Sequence, residues 1–277
     1  MDISAQLQKY NISPDPLKDQ FFLNDKEVIQ KTVGLADLNK KDTVLEIGAG
    51  VGNLTKEIAK KAGRVIAFEI DECFKPLLAD LPKNVELHFK DAWDFVQLGG
   101  KYKHKKIYNK IVSNLPFSFC EQFFHNLTFL DYDKAILLVP RSFVAKLKTN
   151  GIFSSFFKPE VKLLLDKTKF YPVPKTNSAL IELWHLPDPI KTHSLPLFLR
   201  QYIYQHESQQ VRNSLREGII KYAALVYQKK ITKNEARKIV RESGLPESLL
   251  NQTPNSSEIY HLITEKMINE NYFLECR

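Results

Sequence analysis

The sequence predicts an α/β fold followed by a smaller all-helical unit, on three observations. Residues 43–55 read T-V-L-E-I-G-A-G-V-G-N-L-T: a short apolar run, then Gly48, Gly50 and Gly52, then a helical pattern. Strand, tight turn and helix start in that order open a Rossmann-like crossover. Apolar runs of strand length then alternate with helical segments as far as Trp184, the pattern of a sheet covered by helices. Finally, residues 185–196 carry Pro187, Pro189 and Pro196 among polar residues, and everything beyond reads as helix. Such a proline-rich stretch is the best linker in the chain. It divides a domain at 1–187 from one at 188–277.

The 277 residues are 43% hydrophobic and 26% charged, ordinary for a globular protein. The net charge of +8 makes a polyanionic partner plausible without naming one. Cys73, Cys120 and Cys276 are scattered with no C-x-x-C pair, against a disulfide framework or a zinc site and in keeping with a reducing compartment. No apolar run is long enough to span a bilayer, and residues 1–10 lack a signal-peptide core. The expectation is a cytoplasmic protein with no membrane contact and no metal.

Taken in order, residues 1–19 are polar, contain Pro14 and Pro16, and read as an irregular surface run. Asp25 suits an N-cap for a helix over 26–38, with Val28, Ile29, Val33 and Leu35 on one face. Phe21, Phe22 and Leu23 precede it, either as a hydrophobic staple or as a cover over a ligand. The glycine turn lets backbone approach a ligand without an intervening Cβ. The helix over 53–61 behind it supplies free N–H groups and a positive dipole end. The spacing is G-x-G-x-G, not the G-x-G-x-x-G of pyrophosphate binders. Glu46 before the first glycine suits a cationic cofactor instead. The second strand, 64–69, ends on Glu69, followed by Ile70 and Asp71. A carboxylate there accepts from two ribose hydroxyls; surface acids on an ordinary crossover are the alternative.

A helix over 72–79 and a strand over 85–89 follow, the strand ending at Lys90-Asp91-Ala92-Trp93. Asp91 serves equally as acceptor for an adenine amine or as an N-cap. Residues 99–110 are a basic, tyrosine-bearing loop that reads as solvated charge. The fourth strand, 107–113, runs into Asn114-Leu115-Pro116-Phe117, the chemical centre of the chain. Proline removes a donor and stiffens the turn, Asn114 offers a side-chain carbonyl, and Phe117 offers a flat apolar face. Together they suit an amino group on an aromatic ring. The side-chain and backbone carbonyls accept its N–H bonds and turn its lone pair outward, so catalysis rests on positioning and electrostatics. A strand-end turn with a buried Phe is the bland alternative. Beyond lie a helix over 119–127, a strand over 133–139, a helix over 140–150, and strands over 160–166 and 178–184. Phe170, held by Pro172 and Pro174, is the second jaw of a base sandwich or plain loop packing. The C-terminal helices are read at 197–215, 221–228, 235–242 and 257–268, with a capping box at Thr232 and Glu235. Arg212, Arg216, Lys221 and Arg237 are among the bases of a face suited to phosphates.

These residues resemble the ribosomal RNA adenine N6-dimethyltransferases that act on small-subunit rRNA, and the related erythromycin-resistance methyltransferases of large-subunit rRNA. Gln20-Phe21-Phe22-Leu23 is similar to the family's N-terminal cofactor element, and 46–52 to its S-adenosylmethionine loop, which continues into Asn53 and Leu54. Glu69 with Ile70 matches the ribose acid, and Asp91 with Ala92 the adenine side. Asn114-Leu115-Pro116-Phe117 matches the N-L-P-Y/F motif, and 170–178 the F-x-P-x-P-K segment. The resemblance covers almost the whole chain. It implies a seven-stranded S-adenosylmethionine-dependent methyltransferase domain, S-adenosylhomocysteine as product, and two methyl transfers to adenine N6. It also implies an rRNA partner within a small-subunit precursor and action as a monomer. The pattern is broken at Phe117, where Tyr is usual, at Asp19, where Gly is usual, and at Pro140–Ser142 and His206–Ser208. Two rival readings are a binding factor of ribosome assembly with weak or absent activity, and an erythromycin-resistance-like enzyme. A DNA adenine methyltransferase would need a larger target-recognition region than this chain has room for.

Overall fold

A computed structural model describes residues 3–93 and 107–267. The basic loop up to residue 106, Cys276 and the end of the last expected helix lie outside them. The described strands are β1 Phe22–Leu23, β2 Thr43–Ile47, β3 Arg64–Glu69, β4 Val85–Phe89, β5 Lys110–Asn114, β6 Lys134–Pro140, β7 Phe157–Leu165, β8 Phe170–Tyr171 and β9 Ser178–His185. Seven of them form one sheet in the order β4-β3-β2-β5-β6-β9-β7. Strands β4, β3, β2, β5 and β6 run parallel to their neighbours. β9 is inserted antiparallel beside β6.

This order fixes where a ligand can bind. From β2 the chain steps outward to β3 and β4, then returns to β5 on the other side of β2. Crossovers leave β2 in opposite directions, so a crevice opens at the carboxyl ends of β2 and β5. Val44 pairs with Lys110 and Leu45 with Ile111, which brings the start of the glycine turn level with Asn114. A parallel sheet covered on both faces reads as continuous apolar runs. Val44, Leu45, Val65, Ile66, Ile111, Val112 and Ile136–Val139 are accordingly buried. β9 also reads as an alternating strand, yet Ser178–Leu183 are all buried, within a strand that lies between β6 and β7 in the sheet. Its Glu182 is tolerated there because Lys134 and Lys162 hold it at 2.9 and 2.8 Å. Their charges hold its carboxyl below the usual range against the opposing cost of burial.

The helices depart from the sequence reading in several places. Residues 1–19 are not irregular throughout: Ile3–Lys9 is a helix that buries Ile3 and Leu7, an i,i+4 pair. The segment near 72–79 is a 3-10 turn followed by the single turn Lys75–Leu78, since Pro76 fits only a helix start. The helix expected over 26–38 stops at Leu35. The long helix expected over 197–215 is two helices, Leu195–Gln205 and Val211–Tyr227, and the second absorbs the separate helix expected over 221–228. The break falls on His206-Glu207-Ser208-Gln209-Gln210, five polar residues that offer no apolar contact to hold a helix.

Two compact units emerge: Met1–Lys146 with Pro159–Trp184, and Leu147–Lys158 with His185–Arg277. In the second, Arg200 is 9% exposed and donates to Gly151 O and Ser154 Oγ at 2.7 Å and to Thr264 Oγ1 at 2.9 Å. Burial pulls its pKa down to about 10. Among the described residues no helix is long and apolar enough to cross a membrane.

The β2–β3 crossover depends on Gly63, whose N–H donates to Asp42 O at 3.0 Å. A Cβ there would lie 2.1 Å from the Lys40 carbonyl oxygen. Gly63→Ala is expected to cost about 1–3 kcal/mol in urea unfolding. Gly34→Ala, in a helix and with nothing within 4 Å of its Cβ, is expected to stabilise by about 0.5–1 kcal/mol.

Candidate functional site

The carboxyl ends of β2, β3, β4 and β5 enclose a cavity of about 280 Å³. Its floor is the glycine turn. Gly48, Gly50 and Gly52 all have positive φ, at 77°, 54° and 80°, a region that L side chains rarely occupy. At Gly50 space adds to strain, because a Cβ would sit 2.9 Å from the Phe22 ring. Gly52 itself caps Asn53–Lys61 and provides no side-chain hydrogen bond to the helix start. The first N–H groups of that helix are left for a ligand. Asn53 and Leu54 line the cavity, whereas Gly52 lies just behind it.

Two buried carboxylates meet beneath the turn. Glu69 is 7% exposed; its Oε2 accepts from Gly50 N at 2.7 Å and its Oε1 from Asp71 N at 2.9 Å. Burial pushes its pKa up against these bonds. Glu46 is 1% exposed. Burial pushes it up to about 8, Thr55 pulls against the shift, and the charge of Glu69 adds to it. Glu46 Oε2 is buried with no hydrogen-bond partner, an arrangement that costs free energy unless something supplies a donor or a positive charge. Ile70, 67% exposed, stands at the mouth. Asp91 and Ala92 form the far wall. Asp91 Oδ1 accepts from Trp93 N at 2.8 Å, so the capping role is present.

The base-facing wall is the end of β5. Asn114 Nδ2 donates to Phe21 O at 3.0 Å. Because Phe21 O can only accept, the amide orientation is fixed, and Asn114 Oδ1 is the atom left over. That oxygen is buried and has no partner, and Asn114 is one of the residues that line the cavity. Pro116 shares the wall, and Ser113 Oγ pins the strand to Ile47 O at 2.6 Å. Leu115 is 1% exposed and faces the core. Phe117 is half-buried and stacks on Phe21 at 6.0 Å and 30°.

Gln20, Phe22 and Leu23 line the cavity from the N-terminal side. They are held there because β1 pairs with β8, Leu23 opposite Phe170. That pairing corrects the reading of Phe170 as a jaw. Its ring is 2% exposed, packs in the core with Leu23 and Phe22, and is absent from the cavity wall. A ring buried to that extent has no face to offer a base. Sequence reasoning passed over Phe119, which lines the cavity and meets Trp93 edge-on at 6.2 Å. Its place two residues beyond Phe117, on the same turn, was the available signal. Asp19 was noticed only as an oddity; it has φ 55° and lines the cavity too. Among the described residues no group of three or more His, Cys, Asp or Glu could hold a metal ion.

The donors and acceptors present fit a cationic nucleoside cofactor. Gly48 and Gly50 keep Cβ atoms out of the cradle, two acidic side chains line it, and a further lining residue, Asn114, carries an orphaned acceptor. A family model described as ribosomal RNA adenine dimethylase matches residues 18–245. A probable ribosomal RNA small subunit methyltransferase A of Methanosarcina mazei is 31% identical over 265 residues, 90% of each chain. The ribosomal RNA small subunit methyltransferase A of Thermotoga maritima is 31% identical, covering 77% of this chain and 78% of its own. Among solved structures, a dimethyladenosine transferase from Plasmodium falciparum superposes with TM-score 0.55 at 17% identity, over 89% of this chain and 98% of that one. The 23S rRNA methyltransferase ErmE gives 0.52 at 18%, over 90% and 100%. At these identities the two structures speak for the fold alone, a Rossmann-like α/β arrangement.

The buried Glu46 makes a prediction about pH. Its folded pKa of about 8 lies above its ordinary value of 4.5, so the folded chain keeps a proton that the unfolded chain releases. The stability it contributes is complete below about pH 4.5 and is lost as pH rises towards about 8. Ligand-free protein followed by thermal melts should therefore lose stability across that window, and Glu46→Gln should flatten the decline.

Proposed function

The chain belongs to the ribosomal RNA adenine dimethylase family, and on that premise we propose that it transfers methyl groups from S-adenosylmethionine to N6 of adenosines in small-subunit rRNA, two per base. The observation that carries this reading is the orphaned Oδ1 of Asn114, a residue that lines the same cavity as Glu46 and Glu69. S-adenosylmethionine would supply a methyl group on a positively charged sulfur, leaving S-adenosylhomocysteine. Gly48 and Gly50 make room for it beside Asn53 and Leu54, whereas Gly52, expected to do the same, lies outside the lining and a Cβ there would meet Leu78. Gln20, Phe22 and Leu23 close over it. Glu69 and Ile70 take the ribose side, and Asp91 and Ala92 the adenine side.

In this reading Asn114 Oδ1 and the Leu115 carbonyl accept the two N–H bonds of the target amine. Two accepted bonds draw the nitrogen lone pair out of conjugation with the ring and make it nucleophilic. Pro116 keeps the turn stiff, so the acceptors do not reorganise during reaction. Phe117 provides a stacking face, which needs the ring and not a hydroxyl. Phe119, rather than Phe170, is the second aromatic within reach. No strong general base is required, because the nitrogen becomes cationic as it takes the methyl group from sulfur, and such an ammonium on an aromatic ring readily gives its proton to water. The domain over 1–187 is taken as catalytic and that over 188–277 as the RNA-docking part, its basic helices meeting phosphate. We further propose a monomer acting in the cytoplasm on a small-subunit precursor.

Labelled methyl transfer to unmodified small-subunit rRNA tests the reading. Asn114→Ala is expected to lower the single-turnover rate by about 10²–10³-fold, as for loss of one preorganised polar group, with cofactor affinity nearly unchanged. Phe117→Tyr should retain activity and Phe117→Ala should lose most of it. Absence of transfer by the wild-type protein would overturn the proposal.

A further inference from the structure

Residues 15–23 form a strap that touches both halves of the site. At one end Gln20 Nε2 donates to Asp71 Oδ2 at 2.9 Å, and Lys18 Nζ reaches the same oxygen at 3.1 Å. Asp71 N in turn donates to Glu69 Oε1, whose partner oxygen holds Gly50 N. At the other end Asp19 Oδ2 accepts from Ser118 N at 2.7 Å, Phe21 O accepts from Asn114 Nδ2, and Phe21 stacks on Phe117. A continuous run of hydrogen bonds thus joins the glycine turn to the loop that carries the orphaned acceptor. Its narrowest point is Asp19. The residue is held left-handed, with its N–H donated to Pro16 O at 3.2 Å and its carbonyl accepting from Phe21 N at 2.8 Å. That conformation aims its carboxylate at the loop 114–119, where Oδ2 accepts from the Ser118 amide.

We propose that Asp19 is a positioning residue that couples cofactor binding to the geometry of the base site, by clamping the Ser118 amide from a strap that is itself anchored beside Glu69. The proposal rests on the function given above. A ligand on Gly50 and Glu69 that steadies the strap also steadies Asn114 and Phe117. By linkage, RNA then tightens the cofactor by the same factor as the cofactor tightens RNA. The step is one of placement: Asp19 exchanges no proton and forms no bond with substrate.

Asp19→Gly is the clean probe, because glycine accepts the left-handed φ and removes only the carboxylate. Asp19→Asn keeps a side-chain oxygen for Ser118 N and serves as the conservative rescue. The affinity of full-length protein for an in vitro small-subunit rRNA transcript is measured with and without S-adenosylhomocysteine, together with hydrogen exchange at the Ser118 amide. In the wild type the cofactor product should tighten RNA about fivefold or more, within the usual range of coupling. Asp19→Gly should bring that ratio to about one and deprotect Ser118, with affinity for S-adenosylhomocysteine alone within about threefold; Asp19→Asn should keep most of the ratio. The inference is overturned if Asp19→Gly retains the wild-type ratio. It is equally overturned if both variants lose S-adenosylhomocysteine binding outright, which would mark a merely structural residue. Methyl transfer by the wild type is run alongside: its absence sinks the proposed function, whereas an active wild type with an unchanged Asp19→Gly ratio sinks only the coupling.

Discussion

The hydrogen bond from Gly50 N–H to Glu69 Oε2 is the contact on which the site depends. It ties the tip of β2 to the tip of β3 and keeps the glycine turn flat against the crevice. Making it requires a carboxylate 7% exposed, next to a second carboxylate, Glu46, that is buried more deeply still. Burial alone disfavours both charges. A fold that keeps two acids in such a place is arranged for a ligand that brings donors and positive charge. The sheet order makes the place available, since the reversal between β2 and β5 leaves no crossover above those strand ends.

The second half of the site is built on a different economy. Asn114 spends its donors on Phe21 O and leaves its oxygen unpaired in a buried setting. A buried acceptor left without a donor is costly. Phe21 and Phe119 line that end with aromatic surface, and Phe117, which is not among the lining residues, stacks on Phe21. Polar atoms are therefore few and placed, and the rest of the wall is apolar, as ligand sites commonly are. The antiparallel pair β1–β8 holds the N-terminal strap in position against both halves.

Much of this was legible in the sequence because it is local. The strand–turn–helix at 43–61, the strand ends at Glu69 and Asp91, and the tetrapeptide after β5 each carry their signal within a dozen residues. Helix Asn53–Lys61 and strands Arg64–Glu69 and Val85–Phe89 were bounded from periodicity alone. The long-range features were not legible. The β1–β8 pairing joins residues far apart in the chain, and nothing near Phe170 says that its ring turns inward. The break at 206–210 was missed because polar residues on a helix surface and polar residues in a turn look alike. Asp19 stood out as a departure from the family pattern, but only coordinates show that its φ of 55° is the conformation that glycine suits, and that its carboxylate finds Ser118.

The claim that everything else serves is that the unpaired Asn114 oxygen receives an adenine amine. A crystal structure of the protein with S-adenosylhomocysteine and adenosine monophosphate tests it most directly. The account predicts the adenine N6 at about 3 Å from Asn114 Oδ1, an ordinary hydrogen-bond length, with the ring against Phe117 or Phe119. An adenine seated elsewhere, with Asn114 Oδ1 bonded to water or to protein, would contradict it.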